Sequence, residues 1–204
     1  MVEIISATEE DLSEILELQR IAFKEEAELL DNFEIQPMIQ TLDELIDEFH
    51  KGIILKAVLD DKIIGSVRAY AEGDTVYIGK LMVHPDNRGE GLGKRLLSSI
   101  EEEFVCNRFE LFTTVHSEKN LRLYEEAKYV RFKEETDVDD ISYVYLEKRV
   151  KSGSNISYGI SLGLIFGVVL GMLTDNLALW LSIGLCLGVA VSSVPFQAKI
   201  KPKK

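Results

Sequence analysis

Followed from residue 1 to 204, the apolar positions recur first at steps of three and four, then at steps of two, and finally almost without interruption. Each regime predicts a different kind of element. A short strand, VEIIS, opens the chain. Thr8 and Asp11 stand at capping-box spacing, with Asp in place of Glu or Gln, and Leu12, Ile15, Leu16 and Ala22 follow at helical spacing. A second capping box, Thr41 with Glu44, predicts a shorter helix that carries Leu42, Leu45, Ile46 and Phe49 on one face and ends at Gly52. The intervening LLDNFEIQPMIQ has no clean period. It reads as a loop over the domain, a common place for substrate contacts, with Gln36 and Pro37 as its first candidates.

From Ile53 to Val83 the pattern becomes that of strands. IILKAVL, KIIGSVRAYA and TVYIGKLMV are separated by the turn signals DD and EGD, which predicts an antiparallel meander. A glycine-rich turn follows, then a helix through Leu92, Leu96, Leu97, Ile100 and Phe104, the strand RFELFTTV, a helix through EKNLRLYEEA, and the strand ISYVYLEKR. Strand, helix and strand in that order imply a parallel crossover added to the meander. Residues 1–150 therefore read as one α/β domain with a mixed, mostly antiparallel sheet and flanking helices.

The end of the chain is a different material. Beyond a linker at 151–155, residues 156–173 and 177–194 each form an uncharged 18-residue stretch, and only Thr174, Asp175 and Asn176 separate them. At about 1.5 Å per residue each would rise about 27 Å, close to the roughly 30 Å core of a bilayer, so two membrane spans folded as a tight hairpin are expected. An apolar hairpin lying over a soluble domain is the alternative. Gly159, Gly163, Gly167 and Gly171 form a ridge on the first helix, as do Gly184, Gly188 and Ser192 on the second. Such ridges permit close helix contact in lipid, and the arrangement is similar to the glycine-zipper hairpins of small bacterial membrane proteins. Membrane lipid and a second copy of the chain are thus the expected partners of this segment.

Charge divides the chain in the same place. Residues 1–150 hold 18 Lys and Arg against 34 Asp and Glu, a net −16, while the last 54 residues carry +4. So acidic a body argues against nucleic acid as a partner. Lys148, Arg149 and Lys151 precede the hairpin, Lys199, Lys201, Lys203 and Lys204 lie in the basic tail 195–204, and Asp175 marks the turn. The positive-inside rule then places both termini in the cytoplasm. The N-terminus is acidic and amphipathic, unlike a signal peptide. Cys106 and Cys186 have no metal-ligand spacing, so no metal and no disulfide are expected.

The candidate chemistry lies in HPDNRGEGLGKRLL, residues 84–97, a glycine turn entering a helix, the arrangement that gathers backbone N–H groups around phosphate. A dinucleotide fingerprint needs its third glycine one residue later than Gly93, and a Walker loop needs glycine where Arg88 stands and a hydroxyl where Arg95 stands. Both fail on spacing. What remains is Arg88-x-x-Gly91-x-Gly93 after a strand and before a helix, and downstream NLRLYEEAKYVRF from Asn120 to Phe132. Together these resemble the acetyl-CoA signature and a later motif of the Gcn5-related N-acetyltransferase (GNAT) superfamily, across about residues 2–149.

The resemblance implies an acyl-CoA N-acyltransferase-like fold with acetyl-CoA as co-substrate. Its pyrophosphate would lie on the loop Arg88, Gly89, Glu90, Gly91, Leu92, Gly93 and Lys94, and Arg95 adds charge nearby. The main chain of Leu81, Met82 and Val83 would pair with the pantetheine arm, in a cleft between TVYIGKLMV and RFELFTTV. Asn120 would hydrogen-bond that arm, and Tyr124 would serve as general acid for the departing thiolate. Lys128-Tyr129 stands where the superfamily usually has Gly-Phe, which puts the helix C-cap in question. A primary amine would attack the thioester directly, and its identity is open. Holding a lysine-like amine neutral near pH 7.4 costs about 4 kcal/mol, which calls for a base; Glu34, Glu110 and His116 are candidates without a commitment among them. A module that binds CoA without turnover and oligomerises through its hairpin is the rival expectation.

Overall fold

The computed structural model describes residues 1–137, 141–150, 155–174, 176–192 and 197–202, with backbone only at 155–159 and 189–192. Residues 151–154 of the predicted linker 151–155, Asp175 at the turn, Ser193 and Val194 at the end of the second predicted span, and Lys203 and Lys204 lie outside the described residues, and Asn155 begins a helix. The chain divides into two units, Met1–Val150 with Gln197–Lys204, and Lys151–Phe196.

In the first unit seven strands form one sheet in the order β1-β2-β3-β4-β6-β8-β7. These are β1 (Glu3–Ser6), β2 (Ile53–Leu59), β3 (Lys62–Glu72), β4 (Thr75–Val83), β6 (Arg108–Thr114), β7 (Val130–Thr136) and β8 (Ser142–Arg149); a short β5 (Phe104–Val105) lies outside it. All neighbours are antiparallel except β4 and β6, as the crossover reading expects. Helices α1 (Leu12–Leu29), α2 (Gln36–Ile39) and α3 (Leu42–Lys51) precede β2, whereas α4 (Leu92–Glu102) and α5 (Glu118–Glu126) flank β6 in sequence.

Capping explains where the first helices begin. The Asp11 carboxylate accepts from the Thr8 N–H at 2.7 Å and hydroxyl at 2.8 Å; Glu44 accepts from the Thr41 N–H at 2.8 Å while its own N–H reaches the Thr41 hydroxyl at 3.3 Å. These contacts satisfy donors that a helix start otherwise leaves bare. Two cores then form on opposite faces of the sheet. Leu92, Leu96, Leu97 and Ile100 of α4 join Val67, Val76, Leu111 and Leu146 in one, while Leu12, Ile15, Leu16 and Leu45 of α1 and α3 join Ile54, Ile63 and Met82 in the other.

Three features depart from the sequence reading. The segment read as a loop contains α2, with Pro37 near its start, where a missing N–H costs nothing. VRFKEET forms β7, exposed at all seven residues, so no alternation announced it. Within the predicted tail, β9 (Lys199–Ile200) pairs with β5, and the Ala198 N–H donates to the Gly73 carbonyl.

The second unit contains α6 (Asn155–Leu173) and α7 (Leu177–Ser192). Asn176 caps α7, its side-chain oxygen accepting from the Leu179 N–H at 3.4 Å. A hairpin forms as predicted, but among the described residues no helix is long and apolar enough to cross a membrane. Of the two expected 18-residue spans, the first lies within α6, which has 19 residues, and the second, 177–194, is described as far as Ser192, so that α7 has 16. The glycine ridges face each other: a Cβ on Gly163 would lie 2.2 Å from the Gly184 carbonyl oxygen, and one on Gly167 2.5 Å from that of Trp180.

The C-cap of α5 shows what replaces the usual glycine. The Tyr129 N–H reaches the Tyr124 carbonyl and the Lys128 N–H that of Glu125, both at 3.0 Å, and Lys128 takes φ of +73°. A Schellman turn therefore closes on a lysine in the left-handed region, which disfavours any Cβ-bearing residue. Lys128→Gly should stabilise the protein by about 1 kcal/mol, read as a higher denaturation midpoint with an unchanged m-value.

Candidate active site

The site begins where the central parallel pair stops pairing. Strands β4 and β6 are bonded only at Thr75/Arg108, Val76/Phe109 and Tyr77/Glu110. Beyond them, β4 bulges against β3: Gly79 opposes Arg68 and Met82 opposes Ser66, so Lys80 and Leu81 share the single opposite residue Val67. A bulge bends its strand and increases its twist, and Lys80 sits at its centre with φ of +48°. A cavity of about 790 Å³ opens at the divergence, between the free stretch of β4 and the end of β6, with α1 and α2 along its side.

Tyr124 lines this cavity and is 6 % exposed. Burial, and after it the carboxylate of Glu26, disfavour its phenolate and push its pKa up. The hydroxyl therefore keeps its proton at neutral pH. Glu26, near the end of α1, lines the same cavity and accepts from the Thr114 hydroxyl at 3.3 Å. Burial raises its pKa above the ordinary carboxylate value, with Thr114 and the Lys80 ammonium acting in the opposite sense. Asn120 also lines the cavity and donates to the Thr113 hydroxyl at 3.4 Å. A proton donor and a carboxylate of raised basicity thus face one space, the pairing that acid–base chemistry needs.

A buried polar network holds α1, α2 and α3 against β3 beside the cavity. Arg68, 7 % exposed, donates to Gln19 and, at 3.1 Å, to Gln40, and pairs with Glu48 at 2.8 Å. Gln19 in turn donates to the Pro37 carbonyl at 2.7 Å and to Gln40 at 3.0 Å. Burial lowers the Arg68 pKa to about 10, against the opposing pull of Glu48, so the guanidinium remains charged at neutral pH.

The glycine turn lies at the start of α4. Gly89 and Gly91 have φ of +88° and +76°, and a Cβ on either would meet open space. The left-handed backbone, not crowding, requires glycine there. At Gly93 the reason is proximity: a Cβ would stand 3.1 Å from Leu123 Cδ1 of α5. Glu90 is exposed, and Leu92 is buried in the core, which leaves only the main chain of Leu92 for a ligand. An open hollow of about 440 Å³ beside the turn is lined by Gly91, Lys94, Arg95 and Ser98. Open space, bare N–H groups and two cations suit a pyrophosphate.

Arg88, expected at the pyrophosphate, contacts groups of the protein itself. Its guanidinium donates to the Val83 carbonyl at 3.2 Å and the Ala22 carbonyl at 2.8 Å and pairs with Glu25. It fastens the turn to α1 and β4, and it occupies the carbonyl of Val83. Leu81 lines the cavity, whereas Met82 turns its side chain into the α1 core.

Of the candidate bases none lines the cavity. Glu34 and His116 are exposed, and Glu110 pairs with Arg108 at 2.6 Å. Gln36 and Pro37 do line it. Sequence reasoning missed Glu26, Arg68 and Lys80. The signal for the first was present: Ile15, Gln19, Ala22 and Glu26 continue one helical stripe, and a carboxylate on an apolar stripe is unusual.

Comparison with known proteins agrees with this arrangement. A glycine zipper membrane protein family matches residues 150–194. An acetyltransferase of Pectobacterium atrosepticum is 29% identical over 80 residues, 38% of this chain and 57% of that protein, so the match spans little more than half of that relative. An N-acetyltransferase from Staphylococcus aureus Mu50 superposes with a TM-score of 0.60 at 17% identity, covering 74% of this chain and 99% of that one. The PaiA N-acetyltransferase from Thermoplasma acidophilum, solved with coenzyme A, gives 0.58 at 18% identity over 74% and 99%. At these identities the two structures establish the fold. The acetyltransferase (GNAT) family matches residues 12–129, more than half of the chain, and the protein belongs to that family.

Proposed function

We propose that the protein is an acetyl-CoA-dependent N-acetyltransferase that acetylates a primary amine by direct attack in a ternary complex, tethered by its hairpin to the cytoplasmic face of a membrane. The observation that carries the transfer is the meeting of Tyr124 and Glu26 at the β4/β6 divergence. The turn Gly89–Lys94 would hold the pyrophosphate, and Leu81 and Asn120 would border the pantetheine arm. Acetyl-CoA supplies an activated acetyl thioester.

The protein's own groups then manage two protons. Glu26 accepts the proton of the incoming ammonium; its raised pKa brings it nearer to that of an amine than an ordinary carboxylate is. Tyr124 donates its hydroxyl proton to the departing thiolate and regains one from the second proton that the nitrogen sheds as the amide forms. Glu26 of α1 and Tyr124 of α5 face one cavity at the β4/β6 divergence, which would hold both ends of the reaction together and lower the entropic cost of bringing them there.

Membrane attachment is supported by the glycine zipper match and by the hairpin's surface. Leu162, Ile165, Phe166, Met172 and Leu173 are each at least 60 % exposed, an apolar display that water penalises. Gln197–Lys204 belongs to the same unit as the body, so the chain leaves and re-enters one unit around the hairpin. That fits a segment entering lipid from one side, with the basic residues that flank it on the cytoplasmic side.

Free thiol release from acetyl-CoA with a panel of amines tests the transfer. Tyr124→Phe should lower kcat about 100-fold or more with little change in acetyl-CoA affinity. Coenzyme A binding without turnover of any amine would instead support a non-catalytic module. Glu26→Gln should lower kcat/KM by a similar factor. Because Glu26 acts only when ionised, the wild-type rate should climb with pH through a pKa above the ordinary carboxylate range, and that limb should vanish in the variant. For the hairpin, the full-length protein should sediment with membranes after alkaline carbonate washing and require detergent for release; recovery in the soluble fraction would remove the tether.

A further inference from the structure

Lys80 has no role in the transfer just described. It lines the cavity from the β4 bulge, and its Nζ stands 5.8 Å from the centre of the Phe23 ring. Among the described residues it makes no ion pair, while Lys56, Arg68 and Arg88 each have a carboxylate partner. Burial and the neighbouring Arg68 guanidinium lower its pKa to about 8, with Glu48 and Glu26 acting in the opposite sense.

The charges facing the cavity can be assigned one by one. Glu48 is held by Arg68 and Gln40, and Glu26 is held by Thr114 beside Tyr124. Lys51, Arg68 and Lys80 supply three cations against these two carboxylates. One positive charge is left over, in a unit whose first 150 residues carry −16. A partly buried cation without a partner is unfavourable, and a bound anion would compensate it. A substrate with two ammonium groups would add to the imbalance. The remaining wall is flat and aromatic: Tyr70 stacks on Tyr77 at 5.2 Å, and Phe112 contacts Tyr143 and Tyr145 at 5.7 and 5.6 Å.

We propose that the acceptor is a small amine that also bears a carboxylate and an aromatic or broad apolar body, and that Lys80 binds the carboxylate while Glu26 and Tyr124 act at the reacting end. The inference rests on the acetyl-transfer reading above. Lys80 is a specificity residue: it selects the substrate and takes no part in moving protons. Its strained backbone fits such a task, since the bulge aims the ammonium into the cavity.

The test uses the full-length protein, acetyl-CoA, and phenylalanine, tyrosine and methionine, each compared with its amide, which keeps the body and loses the carboxylate. The acids should exceed their amides in kcat/KM by about 10-fold or more. Lys80→Met should erase that preference by raising KM for the acids with little change in kcat, and Lys80→Arg should restore part of it. Calorimetric titration supplies a readout independent of turnover: phenylacetate should bind the wild type more tightly than phenylacetamide does, and Lys80→Met should abolish the difference. The wild-type comparison alone remains decisive if that variant does not fold. Equal use of acids and amides, a preference for amides, or equal losses for both in Lys80→Met would overturn this inference and leave acetyl transfer standing. Absence of thiol release with these probes and with simple amines would overturn both.

Discussion

The early end of pairing between β4 and β6 is the constraint on which the site depends. Parallel strands with continuous pairing would seal the sheet, and the main chain of β4 would be spent on its neighbour. Here pairing covers three residues and the bulge at Lys80 and Leu81 turns β4 aside. Unpaired backbone polar groups are costly when buried. The divergence is tolerable because a cavity lies beside it, open to water or to a ligand that offers its own amides. Pantetheine is such a ligand, and the same gap admits Tyr124 from α5 and Glu26 from α1.

Opening a sheet at its centre requires that the flanking layers be held by other means. The contacts of Gln19, Gln40, Glu48 and Arg68 do this on the α1 side, joining three helices to β3 through buried hydrogen bonds and one ion pair. Such a network has high stakes in a low-dielectric setting, since loss of one member strands the others. Arg88 makes a second tie, from the glycine turn to α1 and β4. The side chain that looks most like an anion ligand in the sequence thus has protein partners, and Lys94 and Arg95 are the cations that line the hollow beside the turn.

How much of this was readable in the sequence follows from the range over which each signal acts. Capping boxes at Thr8 and Thr41, the meander and the glycine turn are decided within a few residues, and all of them appear. The site is not local. Glu26 and Tyr124 lie far apart in sequence and meet only because two strands diverge, and no spacing encodes that divergence. Nothing in the strand KIIGSVRAYA marks Arg68 as buried; its burial depends on α1 and α3 closing over it. Strand β7 escaped notice because it is exposed throughout and pairs only with β8. Pairing of β9 with β5 joins residues about a hundred positions apart, beyond any pattern in either segment. At α5 the missing glycine changed the residue and not the turn, because the backbone bonds of the Schellman motif tolerate a strained lysine.

The hairpin illustrates the opposite case, in which a pattern was visible and its use was open. Ridges of glycine can join two helices of one chain or two chains. Gly163 and Gly167 of α6 approach Gly184, Gly188 and Trp180 of α7 so closely that a single Cβ would collide with backbone, so this surface is consumed within the hairpin. The outer face then carries large side chains such as Leu162, Phe166 and Met172. A glycine ridge used in this way joins the two helices of one hairpin, and the large side chains lie on the surface that remains.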